Sequence, residues 1–266
     1  MPCEVALIGF GEAGSTFAAA GAWRGLARGF DIAPERSAAM TALGVTAFST
    51  AAETLSGAPL ILSLVTADQA LAAAQAYAPH LAPGAMWCDG NSVAPETKRG
   101  AAAAVHAAGG RYVDMALLAP AYPARLDLPV LLAGEAAGEA QTQLAALGFT
   151  NLRIVGAEVG RASAIKMIRS VMVKGIEALT DEMMAAAAAA GVADEVLASL
   201  DASEAARPWA QRAAYNLERM ATHGARRAAE MEESAKTLQS LGVEPLLTRA
   251  TVQRQRAAAT KKDQAA

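Results

Sequence analysis

Short apolar runs alternate with helical patterns over the first part of the chain. Residues 5–8 form an apolar run typical of a buried strand, and residues 60–65 form a longer run of the same kind. Between such runs lie stretches with helical spacing of apolar residues, bounded by glycine, serine or proline. This alternation predicts an α/β fold with a doubly wound parallel sheet. Further strands are predicted at residues 26–30, 45–48, 86–89, 112–116, 130–133 and 152–155.

The pattern changes near Gly160, beyond which no further strand is predicted. Residues 161–190 fit one helix of about 30 residues and about 45 Å. Residues 194–256 predict more helices, with breaks near Pro208, at His223 and Gly224, and over residues 242–245. Asp181 and Glu182 are interpreted as part of a solvated helix face. We therefore predict two domains: residues 1–158, built around the sheet, and residues 159–266, which are all helical.

A glycine-rich turn directly follows the first strand. Residues 9–14 have the spacing G-x-G-x-x-G, and a helical pattern begins at once after them. In this setting the first glycine permits a tight turn, the second lets a pyrophosphate approach the backbone, and the third lets the helix pack closely on the sheet. The amides and the dipole of the helix start then hold the diphosphate. Dinucleotide binding is therefore predicted for Gly9, Phe10, Gly11, Glu12, Ala13 and Gly14.

Asp31 ends the second predicted strand, about twenty residues after the glycine turn, where a ribose-binding acid is expected. A carboxylate at this position accepts hydrogen bonds from the ribose hydroxyls and repels a 2′-phosphate. Ile32 follows where NADP-binding chains often carry arginine, so NAD is the predicted cofactor. Arg36 is close enough to leave NADP as the alternative. On the nicotinamide side we expect Leu64, Val65, Thr66 and Asn91.

Composition narrows the function classes. The chain has 266 residues, of which 53% are hydrophobic and 18% charged, as in globular proteins with a large core. A formal net charge of -3 gives no reason to expect nucleic acid or a membrane as partner. Cys3 and Cys88 form no metal-binding or disulfide pattern, so no metal is expected. Without a basic leader or an apolar run of membrane length, the sequence predicts a cytoplasmic protein with a small-molecule substrate.

Candidate chemistry lies in the long helix of the second half. Lys166 and Ser170 are four residues apart, so they share one helix face. Met167, Ile168 and Val171 are apolar neighbours that are expected to desolvate the Lys166 amine and to lower its pKa. Such an amine can accept the proton of a substrate hydroxyl while a hydride leaves the same carbon. We predict Lys166 as the general acid/base and Ser170 as its catalytic partner.

Several segments resemble one family, in the same order along the chain. The glycine turn, with Ala18 on the following helix, resembles the start of the β-hydroxyacid dehydrogenases, which include 3-hydroxyisobutyrate and 6-phosphogluconate dehydrogenases. Residues 89–97 resemble that family's D-x-S-T-x-x-P-x-T segment, and residues 112–116 resemble the start of its substrate loop, D-A-P-V-S-G-G. Gly160 and Lys166 match its catalytic-lysine motif. The resemblance implies a Rossmann domain, an all-helical second domain and a homodimer that forms through the helical part.

The chain departs from this family at the motifs that face the substrate. Ser170 stands where the family usually has asparagine, and a hydroxyl offers fewer hydrogen bonds than an amide. Residues 117–120 read Leu-Leu-Ala-Pro instead of V-S-G-G. Residues 223–231 lack the family's K-D-L pattern and resemble a 6-phosphogluconate dehydrogenase-like subgroup with a distinct C-terminal helical domain. The residues expected at the substrate are Ser92, Met115, Ala116, Leu117, Leu118, His223, Arg226 and Arg227.

The residues and the resemblance together predict an NAD(P)-dependent oxidoreductase. It would transfer a hydride between a nicotinamide cofactor and a hydroxy acid or a related alcohol. One alternative is an imine reductase on the same fold, although such relatives commonly place an acid or an aromatic residue where Lys166 stands. The other is a dinucleotide-binding sensor without chemistry, which the altered residues Ser170, Leu117 and Leu118 leave open.

Overall fold

A computed structural model describes residues 4–203 and 208–263, which contain eight strands in a single sheet. The order of the strands across the sheet is β3-β2-β1-β4-β5-β6-β7-β8. This architecture confirms the predicted α/β fold of the first part of the chain. The strands are β1 Val5–Ile8, β2 Ala27–Phe30, β3 Thr46–Ala47, β4 Leu60–Ser63, β5 Met86–Asp89, β6 Arg111–Leu117, β7 Val130–Ala133 and β8 Leu152–Gly156.

Helices connect the strands and form all of the described chain beyond β8 apart from its short connections. The long helix that was predicted over residues 161–190 is confirmed with the same bounds. The helices are α1 Glu12–Gly21, α2 Arg36–Ala42, α3 Ala51–Leu55, α4 Ala70–Tyr77, α5 Pro95–Ala107, α6 Ala121–Ala124, α7 Ala137–Ala146, α8 Arg161–Ala190, α9 Ala193–Ser203, α10 Trp209–Ser240 and α11 Leu246–Asp263.

Both faces of the sheet are buried at its central strands. In β1, Val5 and Leu7 pack into the apolar cluster on one face, while Ala6 and Ile8 pack into the cluster on the other. Burial on both faces explains why this strand is a continuous apolar run instead of an alternating one. Because β1 lies between β2 and β4, the chain changes direction across the sheet at β1, which opens a crevice at the carboxyl ends of these strands.

The sheet is mostly parallel, as predicted, with β7 as the exception. Strands β1 to β6 pair in parallel, but β7 runs antiparallel to β6, with Leu117 opposite Val130. A parallel connection needs a crossover segment, usually one with a full helix. The segment between β6 and β7 has only the four-residue helix α6 and one short 3₁₀ turn, and it turns the chain back instead.

The chain divides into two compact units, residues 1–170 and 171–266. The division falls inside α8, whose first ten residues belong to the first unit. The boundary at residue 158 stays a prediction of the sequence. Over residues 4–203 and 208–263, no helix is long and apolar enough to cross a membrane. The same residues contain no group of three or more histidine, cysteine or acidic side chains that could hold a metal ion.

The predicted helix break at His223 and Gly224 is wrong, because α10 runs without interruption from Trp209 to Ser240. Gly224 is buried against α11. A Cβ atom at this position would lie 2.4 Å from the carbonyl oxygen of Gln255 and 3.2 Å from the Cβ atom of Ala259. The glycine therefore permits a close approach of two helices and does not mark a turn.

Glu182 of α8 is not the solvated residue that the sequence predicts, because its carboxylate caps the start of α11. Oε1 accepts hydrogen bonds from the amide of Thr248 at 3.0 Å and from its hydroxyl at 2.5 Å, and Oε2 accepts one from the amide of Leu247 at 2.8 Å. These amides have no partner within their own helix. Burial raises the pKa of the Glu182 carboxyl, but the hydrogen bonds from Thr248 and Leu247 outweigh it and hold the pKa below its ordinary value.

We expect Glu182→Gln to lower the free energy of unfolding by about 1 kcal/mol at neutral pH, the typical contribution of a helix cap. Because the pKa in the folded protein lies below the ordinary value of 4.5, the advantage of the wild type is fully present above about pH 4.5. It is lost as the pH falls through the folded pKa. Denaturant unfolding of both proteins between pH 7 and pH 3 measures the difference. Asp181→Asn removes a neighbouring exposed charge as a control, and an equal loss in this variant would contradict the capping role.

Candidate active site

The glycine turn between β1 and α1 is closely packed at Gly9 and Gly14 and open at Gly11. Gly9 has φ +93°, and a Cβ atom there would lie 2.6 Å from the carbonyl oxygen of Leu64, so only glycine fits. A Cβ atom at Gly14 would lie 2.8 Å from the Gly9 carbonyl oxygen, which explains how closely α1 packs on the turn. A Cβ atom at Gly11, by contrast, would meet nothing within 4 Å. This open space beside the start of α1 fits a pyrophosphate group.

Asp31, at the end of β2, is attached to the glycine turn. Its Oδ2 accepts a hydrogen bond from the amide of Phe10 at 2.6 Å, and its Oδ1 accepts one from the amide of Ala33 at 2.9 Å. The carboxylate thus fixes both the glycine turn and the loop after β2, a role that the sequence did not indicate. Each carboxylate oxygen can accept a further hydrogen bond, so the same group is still able to bind ribose hydroxyls.

A cleft of about 460 Å³ opens beside the glycine turn, at the carboxyl ends of β1, β2 and β4. Its volume is typical of a small-molecule site. Tyr77 of α4 lines it and contacts Phe30 edge to face at 5.9 Å between ring centroids. Sequence reasoning missed Tyr77, because no local pattern connects α4 with β2. Of the predicted cofactor residues, the cleft is lined by Gly9, Gly11, Glu12, Asp31, Leu64, Val65 and Thr66.

The remaining predicted cofactor residues lie outside the lining of this cleft. Phe10 and Gly14 are buried, and Ala13 packs against the core. Asn91, in the loop after β5, donates a hydrogen bond from Nδ2 to the hydroxyl of Ser63 at 3.0 Å. Its Oδ1 is buried and has no hydrogen-bond partner among the residues that the structure describes. A buried acceptor of this kind is available to a ligand that donates a hydrogen bond.

Lys166 and Ser92 lie far apart in the sequence but meet in the structure. Nζ of Lys166, in the second turn of α8, donates a hydrogen bond to the hydroxyl of Ser92 in the loop after β5. Ser170 follows one helical turn later and is half-buried. Ile168 and Val171, which the sequence predicted would shield the Lys166 amine, are 73% and 77% exposed. In a single chain they therefore offer it little shielding.

The predicted substrate residues of β6 divide into two groups. The side chains of Met115 and Ala116 are fully buried in the apolar core. Leu117 and the following Leu118 are half-buried, and the Leu118 carbonyl accepts a hydrogen bond from Arg169 of α8 at 3.3 Å. The part of this segment that a ligand can reach is therefore Leu117 and Leu118.

His223, Arg226 and Arg227 are the predicted substrate residues of the second unit. All three lie on α10, where His223 and Arg226 are exposed and Arg227 is half-buried. Their contact with substrate stays a prediction.

A buried ionic cluster joins α5 to the neighbouring strands β5 and β6. Nζ of Lys98 lies 2.9 Å from Oδ1 of Asp89 and 3.6 Å from Oδ1 of Asp114. The hydroxyl of Tyr112 donates to Oδ2 of Asp89 at 2.6 Å. Burial, together with the Asp89 charge, raises the pKa of the Tyr112 phenol above its usual value. Sequence reasoning missed Lys98, since a lysine between threonine and arginine in a helix is ordinarily a surface residue.

Comparison with known families agrees with this geometry. The family described as the NAD binding domain of 6-phosphogluconate dehydrogenase matches residues 4–147. A domain of unknown function, DUF1932, matches residues 187–258. The solved structure of a conserved hypothetical protein from Sinorhizobium meliloti 1021 is 38% identical to this chain, with a TM-score of 0.64. The match covers 98% of this chain and 89% of that one.

Two enzymes of known activity have the same fold at lower identity. The imine reductase from Myxococcus stipitatus in complex with NADP+ is 19% identical, with a TM-score of 0.79 and coverage of 97% of this chain and 94% of that one. The 3-hydroxyisobutyrate dehydrogenase from Mycobacterium tuberculosis, with L-serine, is 20% identical, with a TM-score of 0.66. That match covers 79% of this chain and 73% of the enzyme. At these identities the likeness shows the fold alone.

Proposed function

Since this chain belongs to the family that carries the NAD-binding domain of 6-phosphogluconate dehydrogenase, we propose that it is an NAD(P)-dependent oxidoreductase acting on a hydroxy acid or a related alcohol. The contact between Lys166 and Ser92 carries the proposal. A nucleotide-binding fold does not determine a reaction by itself, so the reaction must be inferred from side chains near the cofactor. Ser92 lies at the carboxyl edge of the sheet, where ligands of open α/β sheets bind.

Residues of the first unit would hold the cofactor. The amides at the start of α1, beside the open space at Gly11, would bind the pyrophosphate, and Asp31 would bind a ribose. Oδ1 of Asn91, which has no hydrogen-bond partner among the described residues, would accept a hydrogen bond from a carboxamide such as that of nicotinamide. When bound, the nicotinamide ring supplies the hydride acceptor or donor.

Lys166 would move the proton. In the oxidation of an alcohol, a hydride leaves the substrate carbon and the neutral amine of Lys166 takes the hydroxyl proton, so that a carbonyl group remains. Ser92 accepts a hydrogen bond from Nζ and would thereby direct the amine. Ser170, four residues along the same helix face, would donate a hydrogen bond to the substrate oxygen. Leu117 and Leu118 would form an apolar wall beside the substrate.

Imine reduction is the second candidate, because the same lysine chemistry can serve it. The Lys166 ammonium would give its proton to the nitrogen while a hydride reaches the imine carbon. The overall likeness to the imine reductase supports a shared fold but not a shared substrate. A third candidate, a dinucleotide sensor, needs no turnover at all.

A substrate screen tests the proposal. The purified protein is mixed with NAD+ or NADP+ and a panel of hydroxy acids, and with the reduced cofactors and a panel of keto acids and cyclic imines. Absorbance of the reduced nicotinamide reports turnover. We expect turnover of hydroxy acids or of the matching keto acids. Turnover of imines alone would identify the protein as an imine reductase. Cofactor binding without any turnover would favour a dinucleotide sensor.

We expect NAD to bind more tightly than NADP. Asp31 would repel a 2′-phosphate, and its neighbour Ile32 is apolar and exposed. Arg36, which also lines the cleft, is the cation that would favour NADP. Calorimetric titration of both cofactors measures the preference. Arg36→Ala is expected to leave NAD binding unchanged. If the wild type instead bound NADP more tightly than NAD, and Arg36→Ala abolished that preference, the ribose role of Asp31 would be contradicted.

We also expect a homodimer that forms through α8. Exposed apolar side chains recur along this helix at 36% to 77% exposure, and apolar patches of this kind mark interaction surfaces. Ile168→Asp combined with Val171→Asp is expected to give a monomer in sedimentation velocity. Ile154→Asp, an equivalent change on β8, should leave the dimer intact, and a wild-type monomer would contradict the prediction. The exposed residues of α8 are Ile165, Ile168, Val171, Met172, Val173, Ile176 and Leu179.

A further inference from the structure

Lys98 is a fully buried cation between two carboxylates. Asp89, the last residue of β5, and Asp114, in the middle of β6, are register partners on neighbouring strands, so two negative charges face one another. Like charges placed directly opposite one another destabilise a sheet. Nζ of Lys98 lies within 3.6 Å of both and also donates to the main-chain oxygens of Asp89 and Met115. The ammonium thus compensates both charges and links β5 to β6.

The Asp89 side of this cluster holds the loop that carries Ser92. Oδ1 of Asp89 accepts a hydrogen bond from the amide of Asn91 at 2.9 Å, in addition to its contact with Lys98. Asn91 directly precedes Ser92. The position of the Ser92 hydroxyl therefore depends on where the Asp89 carboxylate is held.

The Asp114 side holds the start of the helix that carries Lys166. Oδ2 of Asp114 accepts hydrogen bonds from the amides of Gly160 and Ser163, both at 3.0 Å, and from the Ser163 hydroxyl at 3.2 Å. A carboxylate at a helix start is favoured by the free amides and by the helix dipole. Lys166 follows Ser163 by three residues, slightly less than one turn. The direction of its amine therefore depends on where the Asp114 carboxylate is held.

We propose that Lys98 is a positioning residue that sets the contact between Lys166 and Ser92. The ammonium group donates a hydrogen bond to the Asp89 carboxylate and forms an ion pair at 3.6 Å with the Asp114 carboxylate. The first carboxylate holds the Ser92 loop, and the second holds the first turn of α8. A buried ion pair contributes little net stability compared with an apolar replacement, so its effect here is on geometry. The catalytic consequence rests on the proposed function, since a displacement of about 1 Å at a reacting group can cost about 100-fold in rate.

Chemical labelling tests the geometry without substrate or cofactor. Trace acetylation by acetic anhydride, resolved by mass spectrometry, gives the rate at which the Lys166 amine reacts across a range of pH. Ser92→Ala is expected to raise this rate about fivefold, the factor that one ordinary hydrogen bond represents. Lys98→Met is expected to raise it by a similar factor. In the Lys98→Met background, Ser92→Ala should add nothing further, because the contact is already lost.

Arg111→Met is the matched control. It removes a cation from the start of β6, where Arg111 pairs with Glu139 on the surface, and it should leave the labelling rate unchanged. If Lys98→Met shows no cooperative unfolding transition, Ser163→Ala takes its place, because it removes one donor to Asp114 and no buried charge. In the Ser163→Ala background, Ser92→Ala is then expected to raise the Lys166 labelling rate by a smaller factor than in the wild type.

Independent effects of the two substitutions would overturn the proposal. A labelling rate that Ser92→Ala leaves unchanged in the wild type would overturn it as well, since there would be no contact to position. The labelling experiment tests the positioning role, and the substrate screen tests the proposed function, so the failure of one can be distinguished from the failure of the other. Independent effects together with turnover of hydroxy acids would remove the positioning role and keep the proposed function. Coupled effects without any turnover would keep the positioning role and remove the proposed function.

Discussion

Lys166→Ala is expected to reduce kcat by about 100- to 10,000-fold, the usual contribution of a general acid or base. The affinity for the cofactor should change little, because Lys166 contacts Ser92 and does not line the cleft beside the glycine turn. Stopped-flow turnover with the best substrate of the screen and calorimetric titration of the cofactor measure the two quantities separately.

The control for this substitution is Arg153→Ala, which removes an exposed cation from β8. It should change neither quantity. A loss of less than tenfold in kcat for Lys166→Ala would assign the proton transfer to another group. A parallel loss of cofactor affinity would show that the amine acts on the dinucleotide and not on the substrate.

Gly11→Val is expected to weaken cofactor binding by about 10- to 100-fold while the unfolding temperature stays close to that of the wild type. The new side chain would occupy the open space beside the start of α1 and displace a pyrophosphate from charge-assisted hydrogen bonds, each of which contributes about 1.5–3 kcal/mol. It would meet no protein atom within 4 Å at its Cβ. Titration of the cofactor and thermal unfolding without cofactor measure the two effects.

Gly9→Ala is the matched comparison, because it is expected to lower the stability of the protein, which Gly11→Val should leave unchanged. Its φ of +93° and the 2.6 Å approach to the Leu64 carbonyl oxygen make any side chain strained, so we expect a loss of about 1–3 kcal/mol of stability. If Gly11→Val also lowered the unfolding temperature, its effect on the cofactor would not identify a pyrophosphate site. Unchanged cofactor affinity in Gly11→Val would place the diphosphate elsewhere.

Local sequence patterns were sufficient for the elements around the glycine turn. The apolar run of β1, the turn with its three glycines and the start of α1 each depend on neighbouring residues alone. Gly9 is a clear case, because its positive φ follows from the turn that the pattern predicts. The bounds of α8 were equally predictable, since helix-forming residues fill it and Gly160 and Gly191 flank it.

Glycine, glutamate and lysine residues had roles that local patterns did not predict where contacts with distant segments determined those roles. Gly224 was predicted as a helix break, but the approach of α11 requires a residue without a side chain there. Glu182 was predicted to be solvated, and it caps a helix that starts 64 residues later. Lys98 drew no prediction, yet its ammonium is buried between the carboxylates of two neighbouring strands. In each case the partner lies far along the chain, and no local pattern records it.

The sequence by itself therefore determined the strand–turn–helix unit with its three glycines, the order of the sheet and helical parts, and the candidate amine at Lys166. Backbone conformation and apolar periodicity depend on near neighbours, which is why these features can be predicted. Only the tertiary structure decided that β7 runs antiparallel, that Asp31 holds the glycine turn, and that Lys166 contacts Ser92. Those arrangements depend on which strand ends and helix starts are brought together, because buried charges and unpaired amides must find partners wherever the fold places them.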